Sequence, residues 1–153
     1  MQKKINIQNK KARFEFEILD KFVAGIQLTG TEIKSIRLSQ ARITESFCEF
    51  NERGELFIVN MYIQEYMFGH HFNHKPKSER RLLLNKRELR SLKKDVEAKG
   101  NTIVPLKLFI NDRGFAKLEI ALAKGKQTHD KRNVIKDRDN QRDLSRIKKS
   151  FNA

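Results

Sequence analysis

Two segments of the chain share one design, and they constrain the fold more than any other feature of the sequence. The segments FCEFNERGELFIVNMYI and LKLFINDRGFAKLEIAL each contain two strand-like runs joined by an Asn-acid-Arg-Gly tetrapeptide. Asn at the first turn position and Gly at a position of positive φ are typical of tight hairpin connections. The tetrapeptides at residues 51–54 and 111–114 therefore predict two antiparallel β-hairpins.

The segment before the first hairpin predicts a strand, a turn and a short helix. Residues 14–18 alternate strictly between apolar and acidic residues, as a half-buried strand does. We expect a turn near Gly25. Gly30 and the threonine after it offer a helix start, and Ile33 and Ile36 lie three apart on one face of that helix.

A second helix is predicted between the two hairpins, in NKRELRSLKKDVEAKG. Asn85 can cap its first turn, Glu88 stands at the capping-box position three residues later, and Gly100 can end it. One apolar stripe at helical spacing is formed by Leu89, Leu92 and Val96. The helix should therefore bury one face.

These elements predict a mainly β fold with short helices, namely a small closed OB-like antiparallel β-barrel of about six strands flanked by two helices. Closure would remove the unpaired strand edges. We expect a flexible basic segment at residues 1–13, a barrel domain at residues 14–123 and a basic tail at residues 124–153. The tail has ten Lys or Arg, four Asp and few apolar residues, so we expect it to be disordered alone and helical beside a polyanion.

The charge of the chain indicates a polyanionic partner. Its 153 residues contain 33 Lys or Arg against 19 Asp or Glu, for a net charge of +14. Such an excess is typical of proteins that bind nucleic acid or an acidic membrane surface. No apolar run is long enough to span a bilayer, and the N-terminus lacks the apolar region of a signal peptide. Its single cysteine, Cys48, fits a reducing compartment, so the chain is expected to be cytoplasmic. We also expect a monomer without a cofactor.

Two features of one loop leave alternatives open. The sequence FGHHFNHKP has three histidines, at positions 70, 71 and 74, which suggest a metal site or a polar loop with ordinary hydrogen-bonding imidazoles. A metal-dependent nuclease built on them is the alternative from the enzyme class, but familiar catalytic motifs and a carboxylate pair are missing, which favours a binding module. The rings of Phe68 and Phe72 are candidates for exposure and for stacking on bases.

Glu32 also has two interpretations. As a first-turn carboxylate it would be stabilised by the helix dipole and could pair with Lys34 or Arg37. Alternatively, it could accept hydrogen bonds from a nucleobase edge or a 2′-hydroxyl group of RNA.

Six blocks of the sequence together resemble one family. The blocks are NKKARFEFEI, AGIQLTGTEIKSIR, NMYIQEY, RRLLLNKREL, VPLKLF and AKGKQTHDKR followed by IKDRD. They occur in the order seen in SmpB, the tmRNA-binding protein of bacterial trans-translation. The resemblance covers essentially the whole chain. It implies a non-enzymatic factor that binds the tRNA-like domain of tmRNA (SsrA) through an OB-like barrel. The factor delivers tmRNA to stalled 70S ribosomes, where the tail occupies the empty decoding centre and the mRNA channel.

The resemblance also implies which residues contact RNA. Those expected to contact tmRNA are Asn9, Lys10, Lys11, Glu32, Lys34, Arg37, Lys124, Gly125 and Lys126. Those expected to contact the ribosome through the tail are His129, Asp130, Lys131, Arg132, Lys136, Arg138, Arg142, Arg146, Lys148 and Lys149. The alternative within the binding class is a generic basic OB-fold protein that binds any structured RNA or associates with ribosomes.

Overall fold

The computed structural model describes residues 4–98 and 100–125 and shows a mainly β protein with three short α-helices. The strands are β1 (Asn6–Gln8), β2 (Phe16–Ile26), β3 (Ala41–Arg42), β4 (Phe47–Phe50), β5 (Leu56–Val59), β6 (Tyr62–Ile63), β7 (Arg80–Leu83), β8 (Asn101–Ile110) and β9 (Ala116–Gly125). The helices are α1 (Lys10–Glu15), α2 (Gly30–Arg37) and α3 (Lys86–Val96), with a 3-10 turn at His70–Phe72.

Six strands pair in a ladder that returns to its first member. Strand β8 pairs with β4, and the order continues through β5, β7, β2 and β9, which pairs again with β8. All of these pairings are antiparallel. The β4–β8 pairing is narrow, with Cys48 opposite Ile103, whereas β9 pairs along most of its length with both β2 and β8. Strand β1 is added beside β8, and β3 pairs with β6 separately.

Both predicted hairpins are confirmed, and their turns have the same construction. Gly54 and Gly114 adopt φ values of 79° and 88°, which glycine reaches without a Cβ clash. The side-chain oxygen of Asn51 accepts hydrogen bonds from the backbone N–H groups of Arg53 and Glu55. Asn111 repeats these bonds in the second turn. The asparagine therefore organises each turn through its own side chain.

Both predicted helices are also confirmed. Helix α2 begins at Gly30 behind a Thr29–Glu32 capping box, and α3 begins behind the Asn85–Glu88 capping box. Ile36 and Leu92 on the inner faces of these helices are fully buried.

The core has two parts because β8 and β9 are buried on both faces. The larger part contains side chains from all six ladder strands together with α2 and α3. The smaller part packs Ala12 of α1 against four residues of the opposite faces of β8 and β9, namely Val104, Leu106, Ala121 and Ala123. Helix α1 thus covers a strand pair whose outer face would otherwise be open to water.

The N-terminal predictions are wrong in three respects. Residues 4–13, expected to be flexible, form β1 and most of α1, because β1 pairs with β8 and α1 packs on the smaller core. Residues 14 and 15 end α1, so the predicted strand begins only at Phe16. No turn occurs at Gly25, since β2 runs through it to Ile26.

The element count and one boundary also differ from the prediction. The described residues contain nine strands and three α-helices rather than about six and two. Strand β9 continues to Gly125, beyond the expected end of the barrel domain at residue 123. Residues 126–153, with most of the predicted tail, lie outside the described part of the chain.

Candidate nucleic-acid interface

The structure does not support a direct contact between Glu32 and RNA. The residue is 4% exposed, and each of its carboxylate oxygens has a partner within the protein. One oxygen accepts the backbone N–H of Thr29 at 2.9 Å and completes the helix cap. The other accepts from Nε of Arg80 at 2.5 Å, rather than from Lys34 or Arg37 as the sequence suggested. Glu32 therefore stabilises the fold from inside.

Arg80 connects this buried ion pair to three backbone carbonyl groups. Its Nη1 donates to the carbonyl oxygen of Met61 at 2.6 Å. Its Nη2 donates to the carbonyl oxygens of Lys75 and Pro76, each at 3.1 Å. A buried guanidinium is stable only when its donors are satisfied in this way. The pair thus fastens α2 to β7 and to the loop between β6 and β7.

The two cations of α2 lie at the surface. Lys34 and Arg37 are exposed, and Nζ of Lys34 lies 5.5 Å from the ring centre of Tyr66. Both side chains are available to phosphate groups, which bind Lys and Arg regardless of base sequence.

Asn9 is also a structural residue rather than an exposed contact. It is 2% exposed, and its Nδ2 donates to the carbonyl oxygen of Pro105 at 2.9 Å. Its Oδ1 accepts the backbone N–H of Ala12 and caps α1. The neighbouring Lys10 and Lys11 are exposed, and Lys11 forms a surface ion pair with Glu45 at 3.2 Å.

The predicted tmRNA-contact residues at the surface fall into two groups within the described part of the chain. Lys124 and Gly125 pair with the first residues of β2. Helix α1, which contains Lys10 and Lys11, ends directly before that strand. Lys34 and Arg37 follow the other end of β2. That strand has eleven residues and is about 30 Å long, and one group follows each of its ends. Lys126 and the ten predicted ribosome contacts lie outside the described residues.

A surface row that the sequence analysis missed lies beside the α2 group. Gly25 pairs with Leu83 of β7 on one side and with Lys117 of β9 on the other. Leu83 is 50% exposed and Val23, two residues before Gly25, is 52% exposed. Because Gly25 has no side chain, it leaves a notch between an apolar and a cationic side chain. Glycine inside a strand often marks such a close approach, whereas the sequence alone predicts a turn near this residue.

One histidine of the loop, His74, is held by hydrogen bonds within the protein. Nε2 of His74 donates to the carbonyl oxygen of Ile63, and its Nδ1 lies 2.9 Å from the hydroxyl oxygen of Thr31. Within residues 4–98 and 100–125, no cluster of three potential metal ligands occurs. No helix in this same part is long and apolar enough to cross a membrane.

Fold and surface together define a basic, mainly β protein with the charge of a polyanion-binding factor. The chain belongs to the SmpB family, because the model of the SmpB protein family matches residues 6–150. An SsrA-binding protein of Flavobacterium psychrophilum is 66% identical and covers 99% of this chain and 100% of its own. One of Bacteroides thetaiotaomicron is 50% identical, covering 95% of this chain and 97% of its own.

A solved structure extends the similarity to the fold. It is described as "tmRNA-SmpB: a journey to the center of the bacterial ribosome". Its matching chain is 47% identical, has a TM-score of 0.67, and covers 80% of this chain and 85% of its own.

Proposed function

We propose that this protein binds the tRNA-like domain of tmRNA and delivers it to stalled ribosomes for trans-translation. The observation that carries the proposal is the match to SmpB over nearly the whole chain, including SsrA-binding relatives at 66% identity. The net charge of +14 and the exposed Lys and Arg residues supply the phosphate-binding character that such a partner requires.

The body is a closed OB-like barrel in this proposal. The ladder of β8, β4, β5, β7, β2 and β9 that pairs back to β8 supports closure. The larger core, with side chains from all six of these strands, fits its interior.

The two cation groups contact different parts of the RNA in this proposal. The row of Leu83, Gly25 and Lys117, together with Lys34 and Arg37, forms one contact surface. Lys10, Lys11, Lys124 and Gly125 form the second, with Lys126 continuing it. A folded RNA spanning about 30 Å can engage both surfaces, whereas a short oligonucleotide engages one. Recognition would then depend on RNA shape rather than on base sequence.

The basic tail acts on the ribosome in this proposal. Its cations, from Lys131 to Lys149, neutralise the RNA of the decoding centre and mRNA channel, and His129 stacks on an exposed base. Leu144, Ile147 and Phe151 recur at helical spacing, which supports folding into a helix there.

Competition binding at fixed salt tests the function of the body. Labelled tRNA-like domain is bound by the protein and challenged with unlabelled duplex RNA of equal length. The proposed function requires the complex to survive a large excess of duplex. Equal competition would mean that net charge alone explains binding, as for a generic basic RNA-binding protein, and would reject the proposal.

Deletion of residues 133–153 tests the division of labour. The shortened protein should keep nearly full affinity for the tRNA-like domain and lose tagging of stalled peptides. A large fall in that affinity would contradict the separation of body and tail.

A further inference from the structure

The loop between β6 and β7 exposes a cluster of large apolar side chains that the contacts described above do not use. Met67, Phe68 and Phe72 are 74%, 65% and 89% exposed. Clustered exposure of this kind costs hydrophobic free energy and usually marks an interaction site.

The backbone of this loop is held in place by side chains that point inward. Oδ1 of Asn73 accepts the N–H of Tyr66 at 2.9 Å, and its Nδ2 donates to the carbonyl oxygen of Tyr66 at 2.7 Å. Gly69 leaves the space for Asn73, because a Cβ there would lie 2.5 Å from that Nδ2 atom. His74 ties the loop to α2 through Thr31. The loop is therefore ordered before any partner binds, which lowers the entropy cost of binding.

A cation lies directly against the aromatic part of this loop. Tyr66 packs edge-on against Phe68 at 5.6 Å, and its ring lies beneath the ammonium group of Lys34. Between the exposed Glu65 and Glu79 at its two ends, the loop has no Asp or Glu, and Lys75 and Lys77 are exposed. Exposed rings interleaved with cations are the arrangement that binds unpaired nucleotides, since bases stack on the rings and phosphates meet the cations.

We propose that Met67, Phe68 and Phe72 form a platform on which unpaired bases of the bound RNA stack, while Lys34 and Lys75 contact the flanking phosphates. This inference rests on the proposed RNA-binding function and adds a subsite for unpaired nucleotides to it. A duplex cannot use the platform, because its bases are already paired and stacked on one another.

Single ring deletions with a matched control test the platform. Phe68→Ala and Phe72→Ala are compared with Phe115→Ala, which removes a ring of 64% exposure from the second hairpin. Affinities are measured for oligouridine, for the tRNA-like domain and for a blunt RNA duplex, over a series of salt concentrations. Each loop substitution should weaken oligouridine binding roughly 5- to 100-fold, leave duplex binding unchanged and leave the slope against log salt unchanged, because no phosphate contact is lost.

A fluorescent variant provides a second readout that keeps the apolar surface. The chain has no tryptophan, so Phe68→Trp reports the loop alone. Oligouridine should quench its emission, and Phe115→Trp should respond much less. One outcome would overturn the platform and leave the proposed function standing. In it, wild type prefers the tRNA-like domain over duplex, but the loop variants and the Phe115 variants have the same affinity for each of the three RNAs. Loop variants that keep full RNA affinity and lose ribosome binding would also overturn it, since the surface would then dock a protein.

Discussion

Replacing Glu32 with Gln should unfold the protein far more readily than an ordinary surface substitution does. The carboxylate offers two acceptor oxygens to two donors, Thr29 N–H and Arg80 Nε. The amide offers one oxygen, so one donor loses its acceptor and Arg80 keeps a buried charge without a counter-ion. The two side chains are only 5% and 2% exposed, and breaking such a pair on one side costs about 3–5 kcal/mol. The total free energy of unfolding of a typical domain is about 5–15 kcal/mol, so this loss would be a large part of it.

Urea unfolding of four proteins measures this effect. A double-mutant cycle is formed by wild type, Glu32→Gln, Arg80→Met and the double variant. The double variant should lower the free energy of unfolding by clearly less than the sum of the two single variants. The control is Glu55→Gln, because Glu55 pairs with Arg81 at 3.0 Å on the surface, with side-chain exposures of 26% and 45%. This exposed pair is worth about 0.2–1 kcal/mol. A loss below about 1 kcal/mol for Glu32→Gln, or simple additivity in the cycle, would refute the reasoning.

The same variant separates a structural role of Glu32 from direct RNA contact. Under conditions where Glu32→Gln remains folded, its RNA affinity should fall less than that of Lys34→Ala, whose side chain is exposed. Lys34→Ala should also lower the slope against log salt by about 0.7–0.9. An affinity loss for Glu32→Gln as large as that for Lys34→Ala, with no loss of stability, would contradict a purely structural role of the carboxylate.

Three further substitutions have expected outcomes. Gly25→Ala should change the free energy of unfolding by less than about 1 kcal/mol, because the new Cβ would lie an ordinary 3.4 Å from Leu83. Binding of the tRNA-like domain should nevertheless weaken as the notch fills, and unchanged binding would remove the notch from the interface. Gly114→Ala should cost about 1–2 kcal/mol in urea unfolding because of its positive φ of 88°, and a smaller cost than for Gly30→Ala would contradict this. Burial raises the pKa of Cys48 above its usual 9.0, so stability present below pH 9.0 should be lost as pH rises further, by up to about 1.4 kcal/mol per unit. Cys48→Ala should flatten that slope in urea titrations above pH 9.0, and an unchanged slope would exclude the thiol as its cause.

Local chemistry made the hairpins and the two long helices predictable. The Asn-acid-Arg-Gly turns and the capping boxes satisfy backbone groups within a few residues, so their signals are complete in the sequence. Helix α1 was missed because it has only six residues and its stability comes from packing Ala12 on β8 and β9. Gly25 was misinterpreted for a related reason. Its cross-strand neighbours Leu83 and Lys117 are distant in sequence, and only the register of the sheet brings them together.

The interface was predictable as a set of motifs but not residue by residue. NKKA and TGTEIKSIR each combine a buried polar residue with exposed cations close by. Asn9 caps α1 from inside while Lys10 and Lys11 face solvent. A polar residue in such a motif therefore indicates a required geometry before it indicates a contact, because burying it without partners would cost more than the fold could tolerate.

The Glu32–Arg80 pair shows what this geometry does for the surface. Arg80 binds the carbonyl oxygens of Lys75 and Pro76 in the loop between β6 and β7, while Glu32 lies in the first turn of α2, two residues before Lys34. One buried ion pair thus sets the position of Lys34 relative to Tyr66, and so of the cation relative to the exposed rings. A replacement by apolar residues of similar volume can restore stability, but it cannot restore the four hydrogen bonds that Arg80 donates. We therefore expect an apolar pair at positions 32 and 80 to rescue folding in urea and to leave oligouridine affinity reduced. Full recovery of both would show that the loop holds its shape without Arg80.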